Sequence, residues 1–509
     1  MREVSKFVAL VGLAAVASPA FASSLSQQVG AYRFSHEPAI VGQLDELTHL
    51  KSVAASPDGI IAAATKLESL LKSRGFETAR FTAAHGSSPV VFGSYASPGA
   101  KRTVVFYAHY DGQPVTPSQW SSDPFVPVMR DGVLGPDAKT VDWKNAKPPF
   151  NPEWRLFGRA AADDKASIVA FLAAFDALKA IHREPSANIK VVWEGEEEAG
   201  SPHLAEILKA HAKELSADLW LIGDGPVNQS RKPTLYFGAR GAVDVEATIY
   251  GPLHALHDGH YGNWAPNPAV MAAEMIASMR NSEGRILIPG YSDDVRPLSA
   301  AEREAIARLP PVDDGLRREF EIGRSEGGES LTASTMRPAL NVRGLRAGAV
   351  GAEAANAIPE DAVVSIDFRL VPDQTPAGVR AKVEKFLSDI GWTIVSDTPD
   401  AATRLAHPKI VKLVWSGGYP GYRSDMSTPE AVAVIAAADD AAGGQVALLP
   451  MMGGSVPIYM FHDIFNVPVI GLPIVNHDDS QHAANENLRL KNLWDGIDTY
   501  AALMAELKW

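Results

Sequence analysis

The sequence predicts an α/β protein: a mostly parallel sheet wrapped by helices, interrupted by a smaller α+β domain. Three observations predict it. Continuous apolar runs alternate with helix-spaced apolar patterns from about residue 41 to 229, as strands and helices do around a parallel sheet. At Gly238-Ala239-Arg240-Gly241 the style changes to apolar/polar alternation, which marks strands with one solvated face. From about Ser416 the first style returns. The chain is therefore divided into residues 1–22, a first domain built from 23–238 and 416–509, and an insertion at 239–415.

The elements follow in order. Arg2 and Lys6 precede an apolar run at residues 7–17, and Ser18-Pro19-Ala20-Phe21-Ala22 comes next. A basic start, a short apolar core and an Ala-x-Ala site predict a secretory signal peptide cleaved after Ala22. The run is shorter than the roughly 20 residues a bilayer span needs. No later segment is long and apolar enough to cross a membrane, so a soluble secreted or periplasmic protein is expected. Val104-Val105-Phe106-Tyr107, Ile189-Lys190-Val191-Val192-Trp193 and Leu219-Trp220-Leu221-Ile222 read as buried strands. Between the first two, Ile168, Val169, Phe171, Leu172, Phe175 and Leu178 have helix spacing. Residues 131–154, rich in Pro, Gly and charge, read as a surface excursion.

In the insertion, Val243, Val245, Ala247 and Ile249 alternate with Asp244, Glu246 and Thr248. A helical pattern at 269–279, a polar proline-containing span at 292–338, a second alternating strand at 363–369 and a helical pattern at 377–390 follow. Half-exposed strands with two helices predict a sandwich of helices on one sheet face. After it come an alanine-rich helix at 429–442 and a buried strand at 467–472.

Composition narrows function. Of 509 residues, 47 are Lys or Arg and 60 Asp or Glu, a net charge of −13, which argues against a nucleic-acid partner. With 46% hydrophobic and 21% charged residues the chain is neither disordered nor fibrous. There is no cysteine, so a thiol nucleophile is excluded and any metal must be held by imidazole and carboxylate. Gly-x-Ser-x-Gly and Walker-type loops are absent.

Acidic and imidazole residues follow the buried strands: His109 and Asp111, the run Glu194, Glu196, Glu197 and Glu198, then Asp224, and later His482. Asp163-Asp164 sits in a turn that opens a helix. In parallel sheets ligands bind at the carboxyl ends of strands, so all of these can meet on one rim. Each alone has an ordinary explanation: a surface hydrogen bond, a helix cap, a solvated acidic run. Together they form a metal-site constellation, because adjacent buried carboxylates repel unless a cation compensates them.

The motifs Tyr107-Ala108-His109-Tyr110-Asp111, Gly158-Arg159-Ala160-Ala161-Ala162-Asp163-Asp164-Lys165, Glu196-Glu197-Glu198-Ala199-Gly200-Ser201 and residues 479–486 around His482 resemble those of the two-zinc exopeptidases. That family includes carnosinases, glutamate carboxypeptidases and aminoacylases. Leu256-His257-Asp258-Gly259, Asn267-Pro268, Phe368-Arg369-Leu370-Val371-Pro372 and Gly453-Gly454-Ser455 match in order too, closest to the carnosinase-like dipeptidase branch. The resemblance implies two divalent ions, zinc first, with manganese or cobalt also compatible. His109 and Asp224 would bind one, Glu198 and His482 the other, and Asp163 would bridge them. It further implies Glu197 as general base, taking a proton from the water that becomes the hydroxide between the metals, and Asp111 as the residue orienting His109. The insertion would be a lid and dimerisation domain. From it His257 would stabilise the oxyanion, often from the partner of a homodimer, and Arg369 with Gly454 and Ser455 would hold the substrate carboxylate.

Three positions depart from the family: alanine at 160 and 166 where glycine is usual, and Asp258 where serine is usual. Alanine has less backbone freedom than glycine. A carboxylate beside His257 favours a cationic imidazole. His477 is a rival to His482 as ligand, although the family's His-x-x-x-Glu pattern is met by His482 and Glu486. The implied function is a metal-dependent exopeptidase acting on dipeptides or short peptides with a free C-terminus. An N-acyl-amino-acid amidohydrolase is the alternative, and a non-catalytic metal-binding scaffold the remote one.

Overall fold

The computed structural model describes residues 24–456 and 458–509; the predicted signal peptide at 1–22 lies outside them. An eight-stranded mixed sheet forms the first layer system. Its strand order is Glu77–Phe81, Val90–Tyr95, Asn188–Glu194, Thr103–His109, Leu219–Ile222, Val469–Gly471, Thr234–Tyr236, Ala447–Leu449. The four central strands, from Asn188–Glu194 to Val469–Gly471, run parallel, and the two at the Glu77–Phe81 edge pair antiparallel. The strands expected at 104–107, 189–193 and 219–222 are these central ones. They are buried on both faces, which is why their sequences are apolar without alternation.

Helices Leu25–His49, Lys165–Ala180 and Leu490–Glu506 cover one face, burying Val104, Phe106, Ile189, Val191 and Leu221 against Phe171, Phe175, Leu493 and Ile497. Lys165–Ala180 is the central helix of that layer and is buried almost all round. On the other face Val105, Tyr107, Val192 and Trp220 meet Leu204, Ile207, Leu208 and Phe461. Truncating a ring as enclosed as Phe171 to alanine costs roughly 3–5 kcal/mol. Such a core holds the strand ends rigidly.

A second, five-stranded sheet has the order Ala339–Arg346, Asp361–Leu370, Gly241–Tyr250, Ile410–Tyr419, Thr393–Val395. Val243, Val245, Ala247 and Ile249 face inward, and helices Pro268–Met279 and Pro376–Asp389, capped by Asn267 and Thr375, cover that side. The polar span at 292–338 contains three short helices, Ala300–Arg308, Asp313–Glu319 and Leu331–Thr335. The excursion at 131–154 is tied down by Trp143 and Phe150, which are buried in the main core. Among the described residues no helix is long and apolar enough to cross a membrane.

Candidate active site

The carboxyl ends of the central strands carry the predicted ligands. His109 ends its strand, Glu197 and Glu198 follow Asn188–Glu194 in a single turn, and Asp224 lies two residues beyond Leu219–Ile222. His482 comes from the long connection after Val469–Gly471, at φ 61°, in the left-handed region. Asp163 and Asp164 precede helix Lys165–Ala180.

These side chains gather into two adjoining groups. In one, ligand atoms of His109, Glu197 and Asp224 lie within 4.8 Å of one another; in the other, those of Asp163, Glu198 and His482 do. Asp163 joins them: Oδ1 is 3.0 Å from His109 Nε2 and Oδ2 is 3.2 Å from His482 Nε2. His482 Nε2 is also 3.3 Å from Glu198 Oε2. Glu197, expected as a base, stands as near to His109 and Asp224 as a ligand would. His477 belongs to neither group.

Four carboxylates this close repel, and burial adds to the cost of their charge. Burial, then the Asp163 charge, pushes Glu198 up to about 7. Asp224 is pushed up to about 6 by burial. Glu197 is raised well above the usual range, again first by burial. Asp163 goes the other way: burial opposes ionisation, but its bonds to His109 and His482 hold it well below the carboxylate range. Burial alone would lower His109, yet its bonds to Asp111 and Asp163 keep it well above the usual imidazole value. The bond to Asp163 lifts His482 to about 9. Both imidazoles are thus shifted toward the charged form by the surrounding carboxylates, and a bound cation would supply that positive charge instead. Glu198 Oε1 is buried with no hydrogen-bond partner. An imidazole and carboxylate donor set with an orphaned oxygen fits divalent metal ions.

Neighbours fix the ligands. The Asp111 carboxylate accepts the main-chain N–H groups of Glu197 (3.2 Å) and Glu198 (3.1 Å), while its carbonyl and Oδ1 stand 3.2 and 3.4 Å from His109 Nδ1. It thus holds both halves of the site. Sequence reasoning gave no role to Gln113, which donates to Glu198 Oε2 (2.7 Å), or to Gln481, which donates to Asp163 Oδ2 (2.8 Å). Glu486, seen only as part of a motif, accepts the N–H groups of Ala160, Ala162 and Asp163 and pairs with Arg159 at 2.8 Å. Adjacency to His482 was the one signal for Gln481; Gln113 had none. Ala160, where glycine is usual in the family, does adopt a left-handed backbone, φ 60°.

A cavity of about 750 Å³ runs from Asp163, Glu197, Asp224 and His482 to Arg369, Gly454 and Ser455. Arg369 donates through Nε to Asp367 (2.9 Å) and through Nη1 to Ser455 (2.7 Å). Its Nη2 bonds no described protein atom. His257 is apart from this cavity: it is exposed on the insertion, 3.8 Å from Asp258, with its ring against His260.

A parallel-sheet rim that collects two histidines and four carboxylates, facing a guanidinium across one cavity, defines a metal-dependent hydrolase. The chain matches Peptidase family M20/M25/M40 over residues 105–506 and belongs to that family. It is a metallo-exopeptidase, as the motifs imply, and its relatives include dipeptidases. The Cys-Gly metallodipeptidase dug1 of Schizosaccharomyces pombe is 27% identical over 427 residues, covering 82% of this chain and 83% of that protein. The Beta-Ala-His dipeptidase of Homo sapiens is 25% identical, covering 82% and 77%. Among solved structures, human carnosine dipeptidase 1 superposes with a TM-score of 0.73 at 22% identity, covering 95% of this chain and 99% of that one. An M20 family metallo-carboxypeptidase from Sulfolobus solfataricus gives 0.72 at 24%, covering 92% and 99%. Both share the fold.

Proposed function

We propose that this enzyme hydrolyses dipeptides or short peptides that carry a free C-terminal carboxylate. One observation carries the reading: the metal-ligating groups and Arg369 with Ser455 open onto the same cavity, so an amide and its neighbouring carboxylate can be held together. His109, Asp224, Glu198 and His482 would hold two divalent ions, zinc by ligand type, with Asp163 between them. Bound there, the ions supply Lewis acidity toward a carbonyl and make water a better nucleophile. Glu197, whose carboxyl is raised by burial, takes a proton from the attacking water and returns it to the leaving nitrogen as the C–N bond breaks. Asp111 keeps Glu197 and Glu198 in place through their main-chain N–H groups. The Arg369 guanidinium, anchored by Asp367 and Ser455, turns Nη2 to the substrate carboxylate.

The enzyme is further read as a homodimer in which His257, exposed in its own chain, serves the partner's site. It is read as secreted or periplasmic after cleavage at Ala22, which N-terminal sequencing of exported protein checks. The function is tested by incubating metal-loaded enzyme with a mixture of dipeptides, longer peptides and N-acyl amino acids and reading products by mass spectrometry. Dipeptides should be consumed first; preferential loss of N-acyl amino acids would make it a deacylase instead.

A further inference from the structure

Outside the catalytic cavity, Arg240 is a buried cation with no ion pair among the described residues. It precedes strand Gly241–Tyr250 and is 9% exposed. Its Nε is sealed from solvent with no partner, and its two terminal nitrogens bond no described protein atom. Burial, then the nearby Arg369 charge, lowers its pKa to about 10, so it remains charged; the Asp367 carboxylate, itself bound by Arg369, opposes that shift only in part. A guanidinium this enclosed normally has a carboxylate or several acceptors.

Arg240 lines a cavity of about 470 Å³, separate from the catalytic one; only Leu331 lines both. The other arginines there are engaged: Arg280 with Glu326, Arg324 with Glu283 at 3.2 Å, Arg337 with Glu329 at 2.8 Å and Arg317 with Asp314. Arg240 is thus the one arginine lining this cavity that has no ion pair among the described residues, although the Asp313 carboxylate lines it too. Leu316, Phe320, Ile322 and Leu340 give the same cavity an apolar part of its lining. Phe320 and Ile322 are 60% and 47% exposed and form an apolar rim.

We propose that this cavity is a second binding site, for a small organic monocarboxylate with an apolar body. Arg240 takes the carboxylate with its planar fork, and Phe320 and Ile322 cover the body. A single negative charge fits the single free guanidinium. A phosphate dianion would be repelled by Glu283, Glu326 and Glu329 around the same space. The volume is in the range that holds small ligands. The Arg240 main-chain N–H bonds Gly454 O at 3.2 Å, so the site adjoins the substrate clamp without belonging to it. The inference stands apart from the reading of the catalytic cavity.

The test is photolabelling of the metal-loaded enzyme with 4-(4-azidophenyl)butyrate and peptide mapping by mass spectrometry. Adducts are expected within residues 312–341, suppressed by excess 4-phenylbutyrate and not by 4-phenylbutyramide. Arg240→Gln should weaken this labelling about tenfold or more, as loss of a charge-assisted contact does. Should that variant not fold, the rim variants Phe320→Asp and Ile322→Asp decide, since each repels a carboxylate and both positions are exposed. Labelling confined to the catalytic cavity, unchanged labelling in Arg240→Gln or in both rim variants, or equal competition by the amide would overturn the proposal. Either result leaves the peptidase reading untouched, because that is judged on turnover.

Discussion

One oxygen of Glu486 accepts the main-chain N–H of Asp163 at 3.0 Å and that of Ala162 at 2.9 Å, across 323 residues of sequence. The other oxygen takes Ala160 N–H and Arg159 Nη1. A buried carboxylate thereby fixes the turn that aims Asp163 at both histidines.

Glu486→Gln should therefore damage the metal site without removing a ligand. The amide keeps one acceptor, but its NH2 faces Arg159 and the Ala160 N–H, leaving the guanidinium buried and uncompensated. Breaking a buried pair in this way costs about 3–5 kcal/mol, and loss of a group that orients ligands lowers metal affinity roughly 10–100-fold. Calorimetric unfolding and titration against a chromophoric chelator measure the two. Unchanged metal affinity would mean that the Asp163 turn holds its shape unaided.

Glu197 and Glu198 are neighbours that should fail differently. Glu197→Gln is expected to keep both metals and lose turnover by several orders of magnitude, the signature of removed proton transfer. Glu198→Gln is expected to lower metal content, because its Oε2 faces His482 and its Oε1 has no other partner. Metal analysis of the purified variants separates the cases. Since Glu197 also stands within ligand distance of His109 and Asp224, equal metal loss in both variants would reassign it as a ligand.

Much of this arrangement is legible in the sequence. Val104 to Tyr107 and Leu219 to Ile222 announce central strands because they are buried on both faces, and the ligands follow them directly. What the sequence hides are relations made by tertiary closure. Glu486 meets its turn only after the chain returns from the insertion, and Gln113 reaches Glu198 from another strand end. Helix Leu25–His49 is masked by Pro38 within it and by a weak apolar stripe. Strands Thr234–Tyr236 and Ala447–Leu449 are too short to show a period.

Asp498 gives a pH prediction away from the metals. Burial pushes its carboxyl up to about 7, and its Oδ1 is enclosed without a hydrogen-bond partner. A carboxyl whose folded pKa exceeds its unfolded value of about 3.9 binds more protons when folded, so stability falls as pH rises between those values. Asp498→Asn removes the titration. The variant should melt at higher temperature than the native enzyme at pH 8, with the gain shrinking toward pH 5. A constant difference across that range would show that Asp498 does not titrate there.

His257 is exposed in its own chain and lies apart from the catalytic cavity. If it completes the partner's site in a homodimer, His257→Ala and Glu197→Gln proteins should each be nearly inactive, yet regain activity when mixed. One site of the mixed dimer then has both residues intact. Activity should rise at the rate of subunit exchange, followed by native mass spectrometry. No recovery after proven exchange would return His257 to its own subunit or remove it from the reaction.

The clamp at Arg369 decides whether the enzyme is an exopeptidase in practice. Two metal ions will attack an amide whatever lies beyond it, so selectivity must come from the far end of the substrate. Asp367, which is 6% exposed, holds Nε of Arg369 and Ser455 holds Nη1, which leaves the Nη2 edge for a carboxylate. A charge-assisted contact of this kind contributes roughly 1.5–3 kcal/mol, or about 10–150-fold in kcat/KM. Dipeptides with a free C-terminus should exceed their C-terminal amides by about that factor. Arg369→Ala should lose most activity on the acid and little on the amide, collapsing the ratio toward one. Arg369→Lys keeps the charge but not the fork held by Asp367 and Ser455, and should recover only part of the preference. Asp367→Asn, which frees Nε without touching substrate, should raise KM for the acid more than it lowers kcat. Equal cleavage of acid and amide by the native enzyme would take the carboxylate out of substrate recognition while leaving the metal site as it stands.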